Sequence, residues 1–138
     1  MNNKWLQNPL ILALLIFIPG IIIDFILIIL FRLFGINLDS PIELGFVIVA
    51  FGIGYFYTKK TEQIIPKKLK IKSVLLFFVV SFIVSFVIIY LMSKGESMVL
   101  LFAVGFSILM ILIECIFIYW FLSYGGKTYL KNSKKNKQ

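Results

Sequence analysis

This sequence contains no histidine, so it lacks the side chain that most often serves as general base, pH switch or metal ligand. Its one cysteine, Cys115, excludes an internal disulfide and a thiolate metal cluster, and we expect it to be an inert apolar filler. No glycine-rich phosphate loop, GxSxG or HExxH motif is present, and the six acidic residues show no paired-carboxylate spacing. These absences predict a protein that is not an enzyme and has neither cofactor nor metal site.

Polar surface is also scarce. Of the 138 residues, 61% are hydrophobic, and the mean hydropathy is +1.03. Soluble domains are about 45–50% apolar, and a small domain has too much surface to bury such an excess. A water-soluble globular protein is therefore excluded. The net charge of +8 does not indicate nucleic-acid binding, because no soluble module is left to present the basic residues.

Four long apolar runs predict an all-α fold, a four-helix transmembrane bundle with spans at about residues 9–34, 42–58, 73–92 and 98–124. The runs are continuous, whereas a membrane barrel would show alternating segments of about ten residues. The first run is too long for the apolar region of a signal peptide and is followed by no small-residue cleavage site. We expect a basic loop at Lys59–Lys72, and a final helix that ends at Gly125-Gly126 before a disordered basic tail, residues 127–138.

The basic residues predict the orientation of these spans. Lys4, the segment between spans two and three, and the C-terminal tail hold twelve of the fourteen Lys and Arg residues. With four spans all three segments lie on one face, and the other face receives only Arg32 and Lys94. By the positive-inside rule both termini are expected in the cytoplasm, which fits a bacterial inner (plasma) membrane.

Two carboxylates fall inside the predicted spans, Asp24 in the first and Glu114 in the fourth. A charged group at that depth is costly and usually faces a cavity or a partner. The functional interpretation is proton or cation handling, with Asp24 as the titrating group. The structural interpretation is a protonated aspartic acid held by hydrogen bonds from neighbouring hydroxyl groups.

Helix geometry predicts which hydroxyls those are. At 1.5 Å per residue, Glu114 and Ser81 come to nearly the same depth, and Ser85 and Ser107 lie closer to the level of Asp24. We therefore expect Glu114 near Ser81, and Asp24 near Ser85 or Ser107. The two acids differ in depth by roughly 10 Å, which predicts two stations of a polar path rather than a pair sharing one proton.

Charged residues near the span ends have separate predicted roles. Arg32 is expected to extend to the outer interface and to meet Asp39 or Glu43. On the inner side four lysines alternate with apolar residues and could contact anionic lipid headgroups at about 1 kcal/mol each, namely Lys67, Lys68, Lys70 and Lys72. The alternative is that these lysines only determine topology.

Small residues spaced four apart predict where helices touch, either within the bundle or between copies. The pairs are Ala50 with Gly54, Ser81 with Ser85, and Ala103 with Ser107.

The middle of the chain resembles a group of small, uncharacterised four-span bacterial inner-membrane proteins. The resemblance is carried by the stretch Ala50-Phe51-Gly52-Ile53-Gly54-Tyr55-Phe56, by Ile65-Pro66 with the basic run after it, and by Ser81 and Ser85. It covers about a quarter of the chain and implies a topology but no catalytic residue. Small four-span drug exporters differ, because their essential acid is a glutamate in the first span, where this chain has Asp24.

Three function classes fit these observations. The first is a small membrane protein without enzymatic activity that acts through helix contacts, with a membrane-protein partner or as a homo-oligomer. The second is a small proton- or cation-coupled transporter that uses Asp24 and Glu114. The third, a bacteriocin-immunity or phage-exclusion protein, rests on size and topology by analogy.

Overall fold

The computed structural model describes residues 3–35, 44–92 and 97–135. Within these ranges the chain is all-helical, with a short 3₁₀-helix at Asn3–Gln7 followed by four α-helices. Their bounds are α1 (Pro9–Leu33), α2 (Leu44–Thr61), α3 (Lys67–Met92) and α4 (Ser97–Lys135). Three regions are long and apolar enough to cross a membrane: Pro9–Leu33, Lys67–Met92 and Leu100–Lys135. α2 has 18 residues, and its last turn carries Lys59 and Lys60.

The four helices surround one core, in which α2 and α3 each pack against both α1 and α4. Three aromatic rings join α1, α2 and α3: Phe46 lies with its ring centroid 6.1 Å from that of Phe17 and 5.2 Å from that of Phe77. On the outside, large apolar side chains such as Phe25 and Phe102 are exposed. An apolar exterior around a packed core is what a lipid environment requires of a helical protein.

The contact between α2 and α4 is the most extensive in the fold, and glycines make it possible. A Cβ added at Gly54 would lie 2.9 Å from the carbonyl carbon of Leu122, and one added at Gly125 would lie 2.9 Å from the backbone nitrogen of Tyr55. Glycine therefore lets the two backbones approach more closely than any other residue would.

The same contact overturns the predicted end of the last helix. α4 does not stop at Gly125-Gly126 but continues to Lys135, so the tail is helical as far as the structure describes it. Packing against α2 outweighs the low helix propensity of the two glycines. Beyond them, Thr128 Oγ1 donates to the carbonyl of Tyr124, and Tyr129 packs edge-to-face against Tyr55.

The predicted basic loop at 59–72 is also much shorter than expected. α2 runs to Thr61 and α3 begins at Lys67, so four of its lysines lie in the first turns of a helix. Glu62 ends α2 with a φ of 57°, the left-handed conformation that commonly terminates helices, and its N–H donates to the carbonyl of Thr58. Pro66 then precedes α3, where a proline costs no helical hydrogen bond.

This connection and the C-terminal part of α4 lie at the same end of the bundle. Lys70 Nζ donates a hydrogen bond to Ser123 Oγ, and a Cβ added at Gly126 would lie 3.6 Å from the side chain of Ile64. The start of α3 therefore lies beside α4 near Ser123, and Lys70 and Lys127 line the same cavity there.

Candidate functional site

The buried polar side chains of three helices meet at one cavity, which we call the acidic cavity. Its volume is about 390 Å³, and its polar lining consists of Asp24 from α1, Ser81 and Ser85 from α3, and Glu114 from α4. The remaining lining is apolar and includes Phe17, Phe46 and Ile111. Asp24 and Glu114 are each only 8% exposed. The acidic cavity therefore brings the chain's two described intramembrane carboxylates to one place.

Asp24 is held by the start of α2. The backbone N–H of Gly45 donates to Asp24 Oδ1 at 2.7 Å, and this hydrogen bond is buried. Gly45 lies in the first turn of α2, where backbone N–H groups have no partner within the helix and where the helix dipole stabilises negative charge. Gly45 must be small here, because an added Cβ would lie 2.8 Å from the same carboxylate oxygen. Asp24 thus caps α2 from a neighbouring helix.

The serine hydroxyls differ in their surroundings. Ser81 Oγ is buried and makes no hydrogen bond within the described part of the chain. Ser85, one turn further along α3, lines the same cavity and is partly exposed. A buried hydroxyl with no protein partner is uncommon and indicates a site for water or another small polar species. Two carboxylates and two hydroxyls are suited to hold a proton or a small monovalent cation.

Four of the five residues predicted for this site line the acidic cavity. Glu114 and Ser81 line the acidic cavity, and so do Asp24 and Ser85. Ser107 is not among the lining residues, and its side chain is partly exposed elsewhere on α4. The cavity extends along the helices, from Phe17 to Ile28 on α1 and from Ser81 to Ile88 on α3, and the two stations of a polar path stay a prediction.

The charged residues predicted near the ends of the spans differ in their exposure. Arg32 is exposed in the last turn of α1, while its predicted partners Asp39 and Glu43 lie outside the described residues. Lys67, Lys68 and Lys72 are exposed. Lys70 is buried instead, which sequence periodicity does not predict.

Two features of the site have no obvious signal in the sequence. The backbone N–H of Gly45 donates to Asp24. The sequence indicates only that the first N–H groups of a helix need an acceptor, not which residue supplies it. Phe46 lines the cavity and also fills the space beside Gly20, where an added Cβ would meet its ring. A glycine facing an aromatic residue on another helix becomes visible only once the two helices are placed.

Across the described residues, no group of three or more Cys, Asp or Glu side chains is arranged to hold a metal ion. Comparisons of the chain with protein-family models, curated proteins and solved structures find no match. The geometry of the acidic cavity is therefore the basis on which a function can be argued.

Proposed function

We propose that this chain is a small proton-coupled membrane transporter, without enzymatic activity, whose coupling site is the acidic cavity. The observation that carries the proposal is the convergence of Asp24 and Glu114, from different helices, on one buried cavity. Ionisable groups inside a membrane are expensive and usually mark ion or substrate pathways.

The chemistry assigns different tasks to the two acids. Asp24 is fixed by the N–H of Gly45 at the positive end of α2, so protonating it weakens the contact between α1 and α2. Glu114 faces the same cavity from α4, next to the serines of α3. Proton exchange between the two carboxylates through Ser81 and Ser85 would link their charge to the packing of all four helices. Such a link between protonation and helix packing is what a coupled transporter needs.

The proposal includes a fourth span and cytoplasmic termini in a bacterial inner membrane. The 18 residues of α2 extend about 27 Å, close to the ~30 Å of a hydrocarbon core. α2 also packs between α1 and α4, two of the helices long enough to span. The lysine-rich ends of α3 and α4 lie together, which supports one basic cytoplasmic face. Fluorescent-protein and alkaline-phosphatase fusions at each terminus test this: fluorescence without phosphatase activity is expected at both.

A role based on helix contacts with a partner is less well supported. Ala50 is fully buried, and Gly54 faces the backbone of Leu122, so this pair of small residues is used within the bundle. Of the three small-residue pairs in the sequence, this one therefore serves contacts within the fold itself.

Proton binding can be measured without knowing a substrate. The purified chain is reconstituted into liposomes on a solid-supported membrane, and a rapid pH step is applied while the displaced charge is recorded. A transient current above that of empty liposomes is expected, because a proton that enters a buried site moves charge across part of the membrane. A Na⁺ step at constant pH distinguishes the ion, and a current from Na⁺ alone would replace the proton in the proposal.

Matched variants locate the site. Asp24→Asn keeps an oxygen that can accept from Gly45 and removes the charge, and Glu114→Gln does the same at the second acid. Both are expected to reduce the pH-step current to the background. Ser107→Ala should retain it, because Ser107 does not line the acidic cavity. A pH-step current that stays at the wild-type level in both acid variants would refute the proposal.

A further inference from the structure

A second cavity lies at the lysine-rich end of the bundle, between the start of α3 and α4, and we call it the lysine cavity. It has a volume of about 630 Å³ and is lined by Lys70 together with α4 residues that include Tyr119, Trp120, Ser123 and Lys127. It shares no lining residue with the acidic cavity. Its chemistry is cationic and aromatic, and nothing in the proposed transport mechanism uses it.

Lys70 is the unusual member of this lining, because it is only 7% exposed. Its Nζ donates a hydrogen bond to Ser123 Oγ and lies 4.1 Å from the centroid of the Tyr119 ring. Ser123 Oγ in turn donates to the carbonyl of Tyr119, so its lone pairs are directed at the ammonium group. The hydroxyl group and the aromatic ring together hold the ammonium group of Lys70 in a defined position.

The counter-charge of Lys70 is not a carboxylate of the described residues, where its contacts are the hydroxyl and the ring. Lysine is almost never this deeply buried unless it is paired with an anion. A second cation, Lys127, lines the same cavity and raises the local positive charge further. Two ammonium groups around one cavity favour a phosphate, whose oxygens accept charge-assisted hydrogen bonds from both.

A neighbouring apolar cavity indicates where that phosphate comes from. It has a volume of about 270 Å³, lies between α3 and α4, and is lined by apolar residues and Cys115. It shares Tyr119 and Trp120 with the lysine cavity, so the two cavities lie side by side along α4. Trp120 is 71% exposed, as is typical of the aromatic residues at headgroup depth. A polar cavity beside an apolar groove matches a phospholipid better than a free phosphate ion.

We propose that the lysine cavity binds the phosphate group of an anionic phospholipid between Lys70 and Lys127, with an acyl chain along Trp120 in the neighbouring groove. This site differs from diffuse attraction of the lysine-rich face to anionic lipid, because it depends on one buried lysine rather than on the total charge. It also stands independently of proton transport.

The test uses Trp120 as its own reporter. Trp5→Phe leaves Trp120 as the chain's one tryptophan, and lipids with brominated acyl chains quench tryptophan on contact. In bilayers, brominated phosphatidylglycerol should quench Trp120 at lower mole fractions than brominated phosphatidylcholine. Lys70→Met should reduce this selectivity about fivefold or more, from a contribution of ~1 kcal/mol or more per lysine near anionic headgroups.

Lys72→Met is the matched control, because Lys72 is an exposed lysine on the same helix and the change in charge is the same. It should alter the selectivity less than twofold. Lys127→Met repeats the test at the second lysine, so the result stands even if Lys70→Met disturbs folding, which circular dichroism reports.

Three outcomes would overturn the proposal. The first is equal quenching of wild type by the two lipids. The second is an equal loss of selectivity in Lys72→Met and in the two cavity variants, which would show diffuse attraction. The third is reversal of the selective quenching by millimolar inorganic phosphate, which would identify a free anion as the ligand.

Discussion

Replacing Gly54 with alanine should separate α2 from α4. An added Cβ would lie 2.9 Å from the carbonyl carbon of Leu122 and 3.1 Å from its Cα, and would also meet its carbonyl oxygen. Carbon atoms pack best at about 3.5–4.0 Å, so the helices must move apart by roughly 0.6–1.1 Å. All three atoms belong to the backbone of a helix, so no side-chain rotation can relieve the contact.

The cost follows from that displacement. A gap of about 0.5–1 Å forfeits roughly a quarter to a half of the dispersion energy of each atom pair along the contact. Forcing an extra carbon into a packed interior typically costs about 1–3 kcal/mol, and we expect Gly54→Ala to lie in the upper half of that range because α2 and α4 form the most extensive contact.

Gly52→Ala is the control on the same helix. An added Cβ at Gly52 meets nothing within 4 Å, so the only effect is the better helix propensity of alanine, worth up to about 1 kcal/mol in favour of the variant. Unfolding by SDS in mixed micelles, followed by circular dichroism, measures both. If Gly54→Ala is no less stable than Gly52→Ala, the backbones of α2 and α4 do not approach each other as closely at Gly54 as described.

Three further expectations concern other parts of the chain. Asn8→Ala should destabilise the protein by about 1 kcal/mol in the same SDS titration, because Asn8 Oδ1 accepts from the N–H of Leu10 at 2.9 Å and caps α1; equal stability would contradict this. Gly45→Ala should break the contact with Asp24 and reduce the pH-step current severalfold, whereas Gly105→Ala, with open space around it, should leave the current unchanged. Amides 127–135 should exchange with deuterium more slowly than those of an unstructured peptide, and free exchange there would contradict a helix that continues to Lys135.

The helices themselves could be predicted because the length of an apolar run can be read directly from the local sequence. The runs at 9–34, 73–92 and 98–124 correspond to α1, α3 and most of α4, since each run must satisfy its own backbone in an apolar solvent. The end of α4 could not be predicted in this way. Gly125 is a helix terminator by propensity and a packing residue by its contact with α2, and only the fold decides between them.

The residues of the site could be predicted from the sequence, whereas the cavity that they line could not. Asp24 and Glu114 are conspicuous within apolar runs, because a charged side chain in hydrocarbon is energetically costly and therefore rare. Depth along separate helices grouped Ser81 with Glu114 and Ser85 with Asp24, and all four line the acidic cavity. That calculation contains neither helix tilt nor rotation, so it could not predict the cavity itself. The burial of Lys70 could not be predicted either, because the residues that it contacts, Tyr119 and Ser123, lie on a different helix.

Infrared difference spectroscopy reports directly whether Asp24 and Glu114 form one proton-binding site, as proposed. The carboxyl stretch of the reconstituted protein is titrated with pH in wild type, Asp24→Asn and Glu114→Gln. We expect the two carboxyls to interact across the cavity and to titrate as a coupled pair, so each substitution should remove one band and move the midpoint of the remaining acid. If Asp24→Asn leaves the titration of Glu114 unchanged, or if neither acid changes its protonation with pH, the two residues are independent structural groups and the account is wrong.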